Sequence, residues 1–152
     1  MQERTWTTKR SPSVEATRLP PQSAMIPMPA CLVTKIAEAA FDHVIAVDLA
    51  RQMLRRAPGQ LAPRLQADAA RLPLATGSIA AVVLVDALLF PTEITRVLAA
   101  DGVLIWANQL GADGPLFLDT PTVIGALGDA WSAVQSEAGW GSWAVLRRAG
   151  EP

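Results

Sequence analysis

Ile79-Ala80-Ala81-Val82-Val83-Leu84-Val85-Asp86 is an unbroken apolar run that ends on an acid. A run of this length without polar alternation reads as a strand covered on both faces, as strands of parallel sheets are. Thr76-Gly77-Ser78 marks the loop that leads into it. Working upstream, Val44-Ile45-Ala46-Val47 is a second β-rich run, and it ends at Asp48. Before it, Leu32, Ile36, Ala39 and Ala40 fall near one helical face, with Lys35 and Glu38 elsewhere, so the spacing predicts a helix over 31–40. Ala50 to Ala57 predicts another, stopped by Pro58-Gly59. Leu65-Gln66-Ala67 is a short strand candidate before Asp68.

Working downstream, Thr92 is the expected N-cap of a helix over Glu93 to Ala99. Asp101-Gly102 then turns the chain into a buried strand, Val103 to Ala107. Thr122 to Leu127 predicts a short helix closed by Gly128. Ser132 to Ser136 and Ser142 to Arg147 are strand candidates, and Ala138-Gly139-Trp140-Gly141 joins them as an antiparallel hairpin. Trp131, Trp140 and Trp143 are expected near its ends or faces, with at least one covering the sheet edge. Helix and buried strand alternate, which argues for a mainly parallel sheet with helices on both faces. The closing hairpin makes the sheet mixed. The expected fold class is therefore α/β, a Rossmann-like mixed sheet, mainly parallel, with a C-terminal antiparallel hairpin.

The chain has 152 residues, enough for one domain with a real core. About half are hydrophobic and 18% are charged, which suits a well-buried α/β domain and not a disordered chain. A formal net charge of -1 offers no electrostatic capture of nucleic acid or of an acidic membrane. Cys31 is the single cysteine, so no intrachain disulfide forms, and a reducing, cytoplasmic compartment is the expectation. Cys31 and His43 alone make no metal site; a packed thiol and a surface imidazole account for them. Residues 1–30 read differently from 31–149. Met1 to Leu19 is polar, without a signal-peptide core, and Pro12, Pro20 and Pro21 break any periodicity. Residues 1–23 are expected to be poorly ordered, because they bury too little apolar surface to offset their ordering entropy.

In a sheet of this kind ligands bind at the carboxyl ends of the strands. Val47-Asp48, Ala67-Asp68 and Val85-Asp86 each bring an aspartate to such an end. A carboxylate after the second strand can accept hydrogen bonds from both hydroxyls of a ribose. Aspartate also ends strands and caps helices routinely. Successive strand ends that share it shift the balance towards a nucleotide-like ligand.

These segments also carry a resemblance. Phe41-Asp42-His43-Val44-Ile45-Ala46-Val47-Asp48-Leu49-Ala50-Arg51-Gln52-Met53-Leu54 resembles the second-strand signature of the class I S-adenosylmethionine-dependent methyltransferases, in their small-molecule, type 11-like branch. Gln66-Ala67-Asp68-Ala69-Ala70-Arg71-Leu72-Pro73-Leu74 is similar to that family's adenine-contact segment. Gly77 to Val83 resembles the family's entry into its fourth strand, although Ile79-Ala80 stands where the family commonly has Phe-Asp. Glu93 to Trp106 resembles the family's subsequent helix, Gly turn and fifth strand. The resemblance covers roughly residues 31–148 and implies a methyltransferase-like α/β domain over 31–149. It implies S-adenosylmethionine as cofactor and a small-molecule acceptor as partner. Asp48 would hold the ribose hydroxyls and Leu49 would pack on adenine. Asp68 would accept from the adenine amino group, with the Ala69 N–H at a ring nitrogen. Asp86 would open onto cofactor and substrate. It is the one candidate base at the rim, and a helix or turn cap accounts for it equally well.

The segment before the first helix departs from that pattern. The family's first strand and Gly-rich loop should lie just before residue 33, where glycines let the backbone approach the ligand. This chain has Met25-Ile26-Pro27-Met28-Pro29-Ala30-Cys31, and no glycine precedes Gly59. Either Ala24 to Ile26 is a degraded first strand, or an unrelated leader replaces it; the abrupt change near Cys31 favours the leader. In both cases the cofactor loop is impaired. Two further functions stay open beside methyl transfer: a non-catalytic remnant that serves as an interaction module, and a nucleotide-binding oxidoreductase domain, which lacks the supporting later motifs.

Overall fold

The computed structural model describes residues 23–27, 31–55 and 62–149. Of residues 1–23, expected to be poorly ordered, 1–22 lie outside the described residues, and Ser23 instead opens a strand. The elements are β1 (Ser23–Pro27), α1 (Cys31–Ala40), β2 (His43–Asp48), α2 (Arg51–Arg55), β3 (Arg64–Gln66), β4 (Ile79–Val85), α3 (Pro91–Val97), β5 (Leu98–Asn108), α4 (Thr120–Leu127), β6 (Trp131–Ala138) and β7 (Gly141–Arg148). They build a seven-stranded sheet in the order β3-β2-β1-β4-β5-β7-β6. Strands β1 to β5 run parallel to one another, and β7 pairs antiparallel with both β5 and β6. The fold is the expected mixed, mainly parallel α/β sheet closed by a hairpin.

The chain winds outward from β1 through β2 to β3, then returns to lay β4 on the other side of β1. That reversal opens a crevice above the carboxyl ends of the central strands. Strand β4 is nearly fully buried because both of its faces are covered. Val82 and Leu84 point into one core layer, with Met25, Val47, Leu104, Trp106, Ala144 and Leu146, and Ile94, Val97 and Val123 of α3 and α4 close it. Ala81, Val83 and Val85 point into the opposite layer with Val44 and Ala37 of α1. The two sets alternate along the strand, as the period of two requires.

Of the two readings of the Ala24–Ile26 run, a strand is what is observed. Ser23–Pro27 pairs in parallel with His43–Val47 on one side, and Ala24-Met25 with Ala81-Val82 on the other. The run is short and ends on proline, so its own residues signal little; the two flanking strands supply its hydrogen bonds.

Helix α3 also departs from expectation. It begins at Pro91, not Glu93, and its N-cap is Phe90, which makes no side-chain cap bond. Thr92 lies inside the helix and is not the cap. Proline suits the first helical position, where its missing N–H has no partner to lose. The helix stops at Val97 because Leu98 turns extended and pairs with Ile79, and the ladder resumes with Val103 opposite Ala81. Helix α4 starts at Thr120, two residues before the expected start, because the Asp119 carboxylate caps it by accepting from Thr122 N–H at 2.9 Å. Helix α2 is described as Arg51–Arg55; the remainder of the expected 50–57 helix includes residues outside the described set.

The hairpin forms as expected, with Gly139-Trp140 as its two-residue turn and Gly139 at φ +61°. Trp131 is buried on the edge strand, and the Arg148 guanidinium lies 5.2 Å from its ring centroid. Trp140 and Trp143 are exposed. No described helix is long and apolar enough to cross a membrane.

Candidate functional site

The carboxyl ends of β2 and β4 and the loop after β3 meet around one cavity of about 300 Å³. Asp48, Leu49, Asp68, Ala69 and Asp86, the sequence-derived candidates, all line it. The expected shared rim for Asp48 and Asp86 is therefore what the sheet provides. Val47, Ala67, Ala87, Leu88, Phe90 and Leu116 complete the wall. Pro27 stands in register with Val47, so β1 also delivers its carboxyl end to this place.

Each aspartate is oriented by a backbone N–H. One oxygen of Asp48 accepts from Ala50 N–H at 2.6 Å. One oxygen of Asp68 accepts from Ala70 N–H at 2.9 Å. Both are local turns in which a short carboxylate bonds the amide two residues on. Asp86 reaches across the sheet and accepts from Gln109 N–H at 2.9 Å. In every case the second carboxylate oxygen has no partner among the described residues. Each carboxylate is thus held by one oxygen and keeps acceptor capacity on the other.

Asp86 sits at φ 45°, alone among the described non-glycine residues in having positive φ. Aspartate tolerates this region better than most residues, and such conformations gather at ligand sites. The strand-end turn at Asp86 is what brings Ala87, Leu88 and Phe90 into the wall. Leu49, Leu88 and Leu116 are 68%, 60% and 38% exposed although they line a cavity. Exposed leucines that converge on one crevice, beside a few fixed polar groups, make the surface a flat apolar ligand with polar edges would fill.

Sequence reasoning missed Leu88, Phe90 and Leu116. The run Ala87-Leu88-Leu89-Phe90 directly after Asp86 was the available signal, since a strand-end loop this apolar has no reason to stay in water. Leu116 carried none: it arrives from the segment after β5. That segment is fixed at Leu118, whose carbonyl accepts from Trp106 Nε1 at 3.1 Å and from Asn108 Nδ2 at 3.2 Å. Sequence reasoning also missed Glu93 and Arg96, which grip the loop carrying Asp68 from behind. No group of histidine, cysteine, aspartate or glutamate suited to a metal ion occurs among the described residues.

Comparison with known proteins agrees with this geometry. A family model described as a methyltransferase domain matches residues 29–106. No curated protein sequence matches the chain. Among solved structures, the N-methyltransferase NodS from Bradyrhizobium japonicum WM9 is similar, at TM-score 0.64 and 16% identity, with 86% of each chain covered. An S-adenosylmethionine-dependent methyltransferase from Mesorhizobium loti is similar at TM-score 0.62 and 14% identity, covering 84% of this chain and 90% of that one. A third, from Aquifex aeolicus, is similar at TM-score 0.64 and 15% identity, covering 82% and 80%. At these identities the likeness is one of fold.

Proposed function

We propose that this chain, which belongs to the class I S-adenosylmethionine-dependent methyltransferase family, takes the nucleoside half of that cofactor into the Asp48–Asp68–Asp86 crevice and methylates a small-molecule acceptor. The observation that carries this reading is the meeting of fixed carboxylates and exposed leucines on one cavity at the strand reversal. The residues fit a nucleoside. Asp48 offers its second oxygen to the ribose hydroxyls, and the exposed Leu49 side chain packs on the adenine face. Asp68 accepts from the adenine amino group, and the Ala69 N–H, which makes no bond among the described residues, donates to a ring nitrogen. When bound, S-adenosylmethionine supplies an electrophilic methyl group on its sulfonium, for in-line transfer to a nucleophile. The protein's share of that reaction is positioning. Asp86 is the candidate base where the acceptor must lose a proton, because its second oxygen remains available at the rim.

The methionine end of the cofactor is served less well. Proline fixes φ and has no N–H to offer, and Pro27 ends β1 at the level of the crevice. No glycine stands between Pro27 and Val33 to let the backbone approach the ligand. Each missing hydrogen bond costs about 1–3 kcal/mol, so the loss of two or three costs about 2–9 kcal/mol and weakens binding by roughly one to six orders of magnitude. The chain is accordingly read as a methyltransferase impaired at its cofactor loop. That same departure favours a second reading, a non-catalytic methyltransferase-like remnant that serves as an interaction module.

Calorimetric titration with S-adenosylmethionine and with its demethylated product tests the proposal. The expected result is weak binding that Asp48→Ala abolishes. Micromolar binding would refute the impairment, and binding indifferent to Asp48 would refute the site.

A further inference from the structure

We propose that Glu93 and Arg96 of α3 are positioning residues for the nucleoside half of the crevice, holding the Asp68–Leu74 loop in place against the helix that follows Phe90. This rests on the nucleoside reading above and extends it to residues that do not line the cavity.

The loop between β3 and β4 has no regular secondary structure to stiffen it, only turns, yet it presents Asp68 and Ala69 to the crevice. Its first part is internally tight: Arg71 N–H donates to Asp68 carbonyl at 2.9 Å, beside the Asp68–Ala70 bond. These bonds orient the Asp68 carboxylate within the turn. They do nothing to place the turn against the rest of the domain. The Ala67 N–H ties the start of the loop to the Asp48 carbonyl at 3.1 Å, and the placement of the rest comes from one turn of α3 together with the buried Leu72 side chain. Glu93 Oε1 accepts from Leu72 N–H at 2.6 Å. Arg96 Nη2 donates to the Leu72 carbonyl at 3.0 Å, and Nη1 to the Leu74 carbonyl at 2.7 Å. The Arg96 carbonyl accepts from Gly77 N–H at 2.9 Å. The two side chains are locked together by Arg96 Nη2 to Glu93 Oε1 at 2.6 Å and Nε to Oε2 at 2.9 Å.

The chemistry suits these residue types. Pro73 has no N–H, so the Leu72-Pro73-Leu74 turn has three carbonyls for two N–H donors, and the carbonyls of Leu72 and Leu74 are the two that face Arg96. A guanidinium is a rigid fork with five donors, and it serves both carbonyls and a carboxylate at once. A lysine ammonium keeps the charge but not the fork. The Leu72 side chain is buried in the core, so the loop is pinned by packing as well as by polar bonds.

The grip also has a direction. Helix α3 begins directly after Phe90, which lines the same crevice as Asp68 and Ala69. The Phe90 carbonyl accepts from Ile94 N–H at 3.0 Å, so Phe90 moves with the helix. One helix therefore carries one lining residue and holds the loop that carries two others, and the Glu93–Arg96 pair fixes the loop relative to Phe90.

The test combines binding with amide exchange. Adenosine is titrated into the full chain and into R96K, R96M and E93Q, with affinity read from chemical-shift changes so that millimolar binding is measurable. Hydrogen exchange is followed in the absence of ligand. The expected result is about tenfold weaker adenosine binding by R96K and R96M, as loss of a well-made bond gives. Exchange should quicken at residues 69–74 while the amides of β4 and β5 keep their protection. E93Q should fall between, because its amide oxygen still accepts from Leu72 N–H. Undiminished adenosine binding by R96M overturns the proposal, and so does quickened exchange spread evenly over the sheet, which marks a merely structural role. Adenosine failing to bind the unsubstituted chain overturns the nucleoside reading itself, a result distinct from either.

Discussion

Asp86 accepts from the Gln109 N–H at 2.9 Å, and its own N–H donates to the Ala107 carbonyl at 3.0 Å. The residue that ends β4 is thereby bonded twice to the end of β5, once by backbone and once by side chain. The bond spans the sheet at the point where both strands deliver their loops to the rim. It also explains how an aspartate stays at φ 45°, since the carboxylate bond offsets part of the backbone cost. A group so held is fixed before any ligand arrives, which is what a positioning site requires.

Asp86→Asn should leave the fold almost unchanged, because asparagine tolerates the left-handed region and its amide oxygen can accept from Gln109 N–H. Asp86→Val removes the acceptor and puts a β-branched residue at positive φ, at a cost of about 1–3 kcal/mol. Urea denaturation of the two variants separates them. If both lose the same stability, the turn at residue 86 is not under this constraint.

Met25 is 1% exposed and sits in the same core layer as Val82 and Leu104. Met25→Ala should cost about 2–5 kcal/mol, the range for large-to-small changes in a packed core. A residue in a loose leader would cost a few tenths. Thermal or urea unfolding decides, and a negligible loss would remove β1 from the centre of the sheet.

Because β1 is already present, restoring the cofactor site should not need a new strand. Replacing residues 28–31 with a glycine-bearing loop, and leaving Ser23–Pro27 in place, should tighten S-adenosylhomocysteine binding by about a hundredfold, two hydrogen bonds' worth. Adding Asp48→Ala should reverse most of that gain. A graft that folds and binds no better would locate the weakness elsewhere in the crevice.

Acid should loosen the α3 grip. The bidentate bond from Arg96 holds the Glu93 carboxyl below its ordinary range; burial opposes this, while the Leu72 N–H and the charges of Arg96 and Arg71 support it. A depressed folded value means that the stabilisation is complete above the unfolded carboxylate range, about pH 4.3, and is lost as pH falls through the lower folded value. Stability measured against pH should therefore fall on the acid side, and Glu93→Gln should flatten that part of the curve. An unchanged acid limb in the variant would show that Glu93 is not among the groups responsible.

Local sequence determined much of this protein. The continuous apolar runs at 44–47 and 79–85 declared strands covered on both faces, and the order of helix and strand implied a parallel sheet. Ala138-Gly139-Trp140-Gly141 between the runs 132–136 and 142–147 announced the hairpin. Aspartates at the ends of such runs marked a rim, since strand direction alone carries Asp48 and Asp86 to the same edge. What tertiary structure alone decided involves partners far apart in the chain. Strand β1 is short and closes on proline, and only pairing with β2 and β4 makes it the centre of the sheet. Thr92 is a good cap by its neighbours, yet Pro91 one residue earlier starts the helix, and Leu98 leaves it to pair with Ile79. The apolar wall at Leu116, the left-handed turn at Asp86 and the grip of Arg96 on Leu72 and Leu74 have no local signature. A periodic pattern reports which face of an element is buried. It says nothing of which distant carbonyl a guanidinium will meet, because that contact exists only once the sheet has brought the two loops together.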